Sequence, residues 1–381
     1  MKTNNQNPKK TVLIIANCTW YLYNFRSELL EELNKKGYNL ILLSSTDKYA
    51  KYIKKYFNKV NKLFLVRGSE NLILEFFTIL NIFYYFLKYK PNLVHNFTIK
   101  PSIYGGIVGR FLGTKKILNH ITGLGPSFFS QSKKRNLLNK ILNPIYKFAF
   151  KHSNTINIFH NKADMKTFIN IGLANIQNSK IIQGSGVDTD YFKIKHTKNK
   201  FNKNIQILFP ARIIKEKGIM ELINACKQLW NSNYKFILNI AGEIDFQNKS
   251  YLSKRNFDEI IKNKNINFIG KSNNMLEVYK KMDIVVLPSW REGLSKSLLE
   301  ASSMNLPIIT TNVPGCNDII INNYSGLLIS VKDENNLKNA IKKFLENQDL
   351  AISYGINARK VVKKKFKTNI INDQILNLYN I

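Results

Sequence analysis

The stretch KKMDIVVLPSWREGLSKSLLEASSMNLPIIT, Lys280 to Thr310, decides how the chain folds. It reads as strand, loop, helix and strand in one continuous unit: the apolar run DIVVLP, the break at PSWREG, a helical segment, then the apolar run PIITT. Strand runs that are apolar throughout and joined by helices indicate a parallel sheet covered on both faces.

The same alternation extends outward in both directions. In the first half, strand candidates are TVLIIAN (11–17), YNLILLS (38–44), KLFLV (62–66), NLVHNF (92–97), KKILNHI (115–121) and TINIF (155–159). Between them lie helical patterns such as FRSELLEELNKK, where Leu29, Leu30 and Leu33 recur at helix spacing. After IIQGSGVDTDYF comes the polar stretch IKHTKNKFNKN, a linker candidate, and the pattern restarts. QILFP (206–210), KFILNIAG (235–242), INFIG (266–270), DIVVLP (283–288), PIITT (307–311) and GLLI (326–329) follow. The expected architecture is α/β, with two Rossmann-like doubly wound domains facing a central cleft. The first spans 1–190 and the second 200–365, and a helix-like segment follows over 366–381. Ligands in such folds bind beyond the carboxyl ends of the strands.

At 381 residues and 44% apolar content the chain has enough material for two cores. Three cysteines, Cys18, Cys226 and Cys316, show no metal or redox spacing, and the five histidines form no HExxH or Cys/His cluster. No metal site is expected. The polar start MKTNNQNPKK has no signal-peptide character, and a cytoplasmic location is expected. A net charge of +33 points to an anionic partner, although abundant Lys, Asn and Ile also fit an AT-rich coding sequence. The longest apolar stretch, Leu72 to Leu87, is short for a bilayer span and carries Glu75 and Asn81. A second segment, Phe128 to His152, mixes Lys and Arg with large apolar residues at helical intervals, a pattern shared by surface-lying membrane helices and ordinary core helices. The 72–87 segment tips the expectation toward peripheral association with the inner face of the cell membrane.

Special residues of the second half fall after successive strand ends. Arg212 and Lys217 follow QILFP, with Gly218 opening a helix; two cations near a helix start suit a diphosphate. Gly242 and Glu243 end another strand at a turn where backbone can approach a ligand. In WREGLSKSLLEA, the N–H groups of Gly293, Leu294 and Ser295 precede a helix and can face an anion. Glu292 lies in that loop and Glu300 in the helix; eight helical steps would separate them by ~12 Å. Hydrolase acid/base pairs sit about 5–9.5 Å apart, so two grips on one extended ligand fit better than a dyad.

Glu292-x7-Glu300, preceded by LPSWREG and followed by EASSMNLPIITTNVPGCNDII, resembles the retaining glycosyltransferases of family 4. Arg212-x4-Lys217-Gly218 matches that family's diphosphate-gripping pair, and GVDTDYF (186–192) looks like its domain-junction signature. The likeness covers essentially the whole chain. It implies the GT-B fold, in which the 366–381 helix crosses back to the first domain, and a nucleotide-sugar donor, with UDP expected here. Glu300 is implied to hold the ribose, Glu292 the donor sugar near its 3- and 4-hydroxyls, and Arg212 and Lys217 the departing diphosphate. Retention is implied to proceed by front-face attack, with no metal. ANCTWYLYNFR (16–26) lacks the glycine pair of many members and is similar to a branch that extends bacterial lipid-linked sugars, as in O-antigen and N-glycan assembly. Asn24, Arg26, His120, Thr122 and Gly123 are the implied acceptor or reacting-centre residues, with a purely structural role the equal alternative for His120. The implied reaction transfers an N-acetylhexosamine or related hexose from UDP to an undecaprenyl-diphosphate-linked saccharide. Alternatives are a GT-B nucleotide-sugar 2-epimerase and a basic nucleic-acid-binding protein, for which no aromatic-basic platform or helix-turn-helix is evident.

Overall fold

β1 (Thr11–Cys18) shows why the first strand is apolar throughout. Val12, Ile14 and Ala16 enter one hydrophobic cluster, while Leu13 and Ile15 enter another on the opposite face of the sheet. β2 (Asn39–Ser45) repeats this division, with Leu40 and Leu42 on one face and Ile41 and Leu43 on the other. Both faces are covered, so neither set of alternate residues is polar.

The computed structural model describes residues 10–380 apart from 55–56, 58–59, 67–68, 70, 125–132, 195–199, 247 and 249, with side chains left aside at 133–141 and 254. The described chain divides into two compact units, one of residues 1–185 with 371–381, the other of residues 186–370. Strands β1 to β7 of the first unit are completed by β3 (Val60–Lys62), β4 (Leu93–Phe97), β5 (Lys116–Ile121), β6 (Thr155–Phe159) and β7 (Ser179–Ile181). They form one parallel sheet in the order β3-β2-β1-β4-β5-β6-β7. Its helices are α1 (Thr19–Lys35), α2 (Ala50–Lys54), α3 (Leu72–Tyr89), α4 (Ile99–Phe111), α5 (Lys133–Phe150) and α6 (Lys162–Asn170).

The second unit carries β8 (Ile205–Phe209), β9 (Phe236–Ile240), β10 (Ile266–Phe268), β11 (Ile284–Leu287), β12 (Ile308–Thr311) and β13 (Leu327–Ile329). These are also parallel, in the order β10-β9-β8-β11-β12-β13, around a continuous apolar core. Its helices are α7 (Ile219–Asn231), α8 (Lys254–Ile261), α9 (Met275–Lys280), α10 (Lys296–Ser303), α11 (Glu334–Glu346) and α12 (Gln348–Lys365). α13 (Thr368–Leu376) then leads into the first unit, where Ile371, Ile375, Leu376 and Tyr379 join the cluster that holds Val12 and Ile14.

Three details differ from the sequence reading. KLFLV is not a strand beyond Lys62: Leu63 N–H still reaches Ser44 O at 3.0 Å, but Phe64 N–H turns to the side chain of Asn81. β7 has three residues, SKI, too short for a periodic signal. The chain enters the second unit at Gly186, before the polar stretch. Residues 195–199 of that stretch lie outside the described residues, and the flanking Ile194 and Phe201 pack on the second core. Of the basic segment 128–152, residues 128–132 lie outside the described residues and 133–150 form α5.

Candidate active site

The second sheet reverses its strand order between β8 and β11, so the loops after these two strands leave a crevice at their carboxyl ends. Gly218, with φ +73°, lets the two loops meet. A Cβ there would stand 2.1 Å from Pro288 O, directly after β11, so no other residue fits the approach. Trp290 N–H donates to Glu216 O at 2.8 Å and fixes the loops a second time. Lys217 is thereby delivered to Glu292, and its ammonium donates to Glu292 Oε1. Ser289 Oγ–H donates to the same oxygen at 2.8 Å. Both members of the ion pair are mostly buried, with 16% and 11% of their side chains exposed.

The other cation is also held. Arg212 pairs with Asp245, beyond the end of β9. Glu243 pairs with Lys271 at the surface, and its carbonyl accepts from Ile213 N–H at 3.0 Å. Beyond β12, Gly315 has φ +81°, and a Cβ there would meet the carbonyls of Glu292 and Gly293 at 2.7 Å each. Its N–H donates to Asp318 Oδ2 at 2.8 Å, and its carbonyl accepts from Ser295 N–H at 3.2 Å. The WREG loop is thus clamped from β8 on one side and β12 on the other.

Glu300 lies in α10 with its carboxylate facing Tyr279, whose hydroxyl reaches Glu300 Oε2 at 3.2 Å and Ser297 O at 3.1 Å. Burial raises the Glu300 pKa, against the opposing pull of Lys296 and the Tyr279 hydrogen bond. Burial, followed by the nearby Glu300 charge, raises that of Tyr279 well above its usual range.

In the first unit the strand order reverses between β1 and β4. Arg26, on α1, is 1% exposed and His120, at the end of β5, is fully buried. Arg26 donates to Tyr21 Oη at 3.2 Å and Gly184 O at 3.4 Å, reaches His120 Nε2 at 3.2 Å, and stands 4.8 Å from the Phe97 ring centre. His120 also contacts His95 Nε2 at 3.4 Å and His160 Nε2 at 3.1 Å, and His95 Nδ1 lies 2.7 Å from Tyr379 Oη. With His120 neutral and protonated on Nδ1, its Nδ1–H can donate to His95 Nε2 and the His95 Nδ1–H to Tyr379 Oη, while the His120 Nε2 lone pair is shared between Arg26 and His160. Burial, and then the Arg26 charge, holds all three imidazoles far below their usual pKa, His160 at about 3.

Two family models match the chain: "Glycosyl transferases group 1" over residues 190–361 and "Glycosyl transferase 4-like" over residues 11–161. The chain belongs to the GT-B glycosyltransferases. Its relatives include the capsular polysaccharide biosynthesis glycosyltransferase CapM of Staphylococcus aureus, 26% identical over 92% of each chain. The N,N'-diacetylbacillosaminyl-diphospho-undecaprenol α-1,3-N-acetylgalactosaminyltransferase of Campylobacter jejuni is 26% identical over 94% of this chain and 95% of its own. HepE of Anabaena, solved with UDP and glucose, matches in fold with a TM-score of 0.77 at 16% identity, over 97% and 99% of the two chains.

In this GT-B glycosyltransferase, the structure brings Lys217 and Glu292 into contact and leaves Arg212 and Glu300 on neighbouring loops and helix with partners of their own. Two expectations need correcting. Ser295 N–H is taken by Gly315 O, so the proposed anion-facing trio loses one donor. Gly242 is a glycine because a Cβ would stand 1.9 Å from Ala211 O, a backbone-to-backbone packing constraint rather than room for a ligand. Arg26 and His120, expected at the acceptor or reacting centre, are buried and in contact with each other. Asn24 turns its amide back to Trp20 O at 2.9 Å, away from that cluster. Thr122 and Gly123 are half-buried just past β5, with Gly123 at φ +152°. Leu294 packs against the second core. Sequence reading missed Asp245, Tyr279, Ser289 and Gly315. Only Gly315 carried a signal, the Pro-Gly turn dipeptide within NVPGC. Among the described residues no group of three or more His, Cys, Asp or Glu could hold a metal ion.

Proposed function

We propose that the protein is a retaining glycosyltransferase of family 4. It moves an N-acetylhexosamine or related hexose from a UDP donor to an undecaprenyl-diphosphate-linked saccharide, at the inner face of the cell membrane, during synthesis of a bacterial surface polysaccharide or glycan. The observation that carries this reading is the Lys217–Glu292 pair at the order reversal of the second sheet. It sets a cation for the diphosphate beside an acid for the sugar hydroxyls. Supporting it, the C. jejuni relative is named for an undecaprenol-diphosphate-linked acceptor. So is the Escherichia coli UDP-Gal:α-D-GlcNAc-diphosphoundecaprenol α-1,3-galactosyltransferase, 25% identical over 81% of this chain and 80% of its own.

In this reading Glu300 accepts hydrogen bonds from the ribose hydroxyls and Glu292 from the sugar. As the sugar–phosphate bond breaks, charge grows on the leaving oxygen, and fixed cations there lower the barrier. Arg212 and Lys217 supply them, so the chemistry calls for no metal. The acceptor hydroxyl attacks from the face the diphosphate leaves, and its proton passes to a phosphate oxygen.

A screen of nucleotide-sugars with a lipid-diphosphate-sugar acceptor tests the proposal. UDP is expected to raise the thermal midpoint by mass action, and oligonucleotides are not. If no nucleoside diphosphate stabilised the protein, the transferase reading of this site would fall.

A further inference from the structure

α3 buries one stripe and exposes another. Thr78, Ile82 and Phe86 are buried against the first unit, whereas Leu72, Ile73, Phe76, Phe77, Leu80 and Tyr84 stand 45–74% exposed. At about 100° per residue the two sets fall on opposite sides of the helix. Only 17% of this apolar span is buried. The exposed Phe64 ring extends the patch, since its N–H donates to Asn81 of α3. Cations sit at the margins: Lys62 Nζ lies 5.6 Å from the Phe64 ring centre and Lys88 Nζ 5.7 Å from that of Tyr84. A contiguous apolar face of this extent marks an interaction site, and the chain as a whole carries +33.

We propose that this face of α3 embeds the protein in an anionic lipid bilayer, with the helix lying in the plane of the head-group boundary. The proposal deepens the membrane part of the reading above and rests on it. Charge selects the occupant. Lysines edging an aromatic-apolar face match an anionic leaflet, their stems reaching along the apolar surface and their heads among the phosphates. A second copy of the chain would set the same lysines against each other across a symmetric contact.

Polar anchoring keeps the helix in the plane. Glu75 is held by Lys100 and by the Tyr104 hydroxyl, and Thr78 Oγ1–H donates to Leu74 O at 2.9 Å. Crossing the bilayer would pull Ile82 and Phe86 out of the core and leave Glu75 and Asn81 in hydrocarbon.

The test is flotation of the full chain with vesicles of phosphatidylcholine, alone or with about a third phosphatidylglycerol. Binding is expected to the anionic vesicles. The variant Ile73→Gln/Phe77→Gln/Leu80→Gln should lose at least about tenfold in bound fraction. Its UDP-induced thermal shift, which reads the second unit, should remain, and this controls for folding. A Phe77→Trp variant should gain fluorescence that lipids brominated near the head group quench more than lipids brominated near the chain end. Unchanged vesicle binding by the triple variant would overturn the proposal, and so would stronger quenching from the chain end. A dimer that the triple variant splits, with no vesicle binding by the wild type, would make the face a self-interface. Because UDP binding is read separately, loss of the membrane proposal and loss of the transferase reading give different results.

Discussion

Lys217 and Glu292 form a mostly buried ion pair between the loops that follow β8 and β11, two strands adjacent in the sheet but 75 residues apart in sequence. Ser289 supports the acid from its own loop. A diphosphate arriving at Lys217 competes with a carboxylate already in place. Under the proposed function, donor binding would exchange the Lys217–Glu292 contact for contacts from Lys217 to phosphate and from Glu292 to the sugar.

Lys217→Ala is expected to lower turnover by about 10²–10³-fold while changing UDP affinity less, because the cation acts mainly on charge that grows during reaction. Glu292→Gln should not add its full effect to that of Lys217→Ala, since the two act as a pair. Steady-state kinetics of the double-mutant cycle check this. Lys217→Ala turnover within a few-fold of wild type would remove the cation from the mechanism.

Glu300 gives a pH signature. Its pKa is raised by burial, so protonation begins at a higher pH than for an ordinary carboxylate. A carboxylate that accepts ribose hydroxyls loses acceptor strength on protonation, so UDP affinity should fall as pH decreases. Glu300→Gln should bind UDP more weakly and lose most of that pH dependence. Tyr279→Phe removes the hydrogen bond to Glu300, worth about 1 kcal/mol, and should weaken UDP binding roughly fivefold. Calorimetric titration across pH measures all three, and a Glu300→Gln profile as steep as wild type would place the titrating group elsewhere.

Two glycines separate packing from loop shape. Gly242→Ala forces a Cβ to within 1.9 Å of Ala211 O and should cost about 1–3 kcal/mol of stability. Gly315→Ala meets the Glu292 and Gly293 carbonyls at 2.7 Å and also a φ of +81°, so it should displace the Glu292 loop and cut activity as well. Thermal melts and turnover measured together check the contrast. Equal losses of activity at matched stability would contradict it.

The buried histidines make the first unit acid-sensitive. His160 is held at about 3 in the fold, against about 6.5 in an unfolded chain. Between these values the unfolded chain binds a proton that the folded chain refuses. The stabilising contribution is complete above about pH 6.5 and is lost as pH falls, by about 1.4 kcal/mol per pH unit for each such histidine. The fall in thermal midpoint from pH 7 to 5 should be shallower for His160→Gln than for wild type. Parallel falls would exclude His160 as a source.

The architecture was legible because the centres of strands such as TVLIIAN and DIVVLP are apolar without alternation, the pattern of a parallel sheet covered on both faces. The reversal between β8 and β11 lay in no local pattern. It depends on which strand slots beside β8 across the five intervening elements α7, β9, α8, β10 and α9. Glu292, Glu300, Arg212 and Lys217 stood out by spacing, yet the partners Asp245 and Tyr279 come from another loop and another helix. Arg26 and His120 were legible as unusual but not as buried. A charged residue on a helix with apolar neighbours is ordinarily read as facing solvent or ligand, and only the fold shows histidines and an aromatic ring enclosing it.

Ile371, Ile375, Leu376 and Tyr379 complete the core of the first unit, and Tyr379 ends the relay through His95. During synthesis these residues leave the ribosome after the whole of the second unit. The first-made half of the chain therefore waits, with part of its apolar interior open, while the later half folds. A stalled or clipped product lacking residues 371–381 would leave that interior open and be a target for proteolysis, although its second unit is whole.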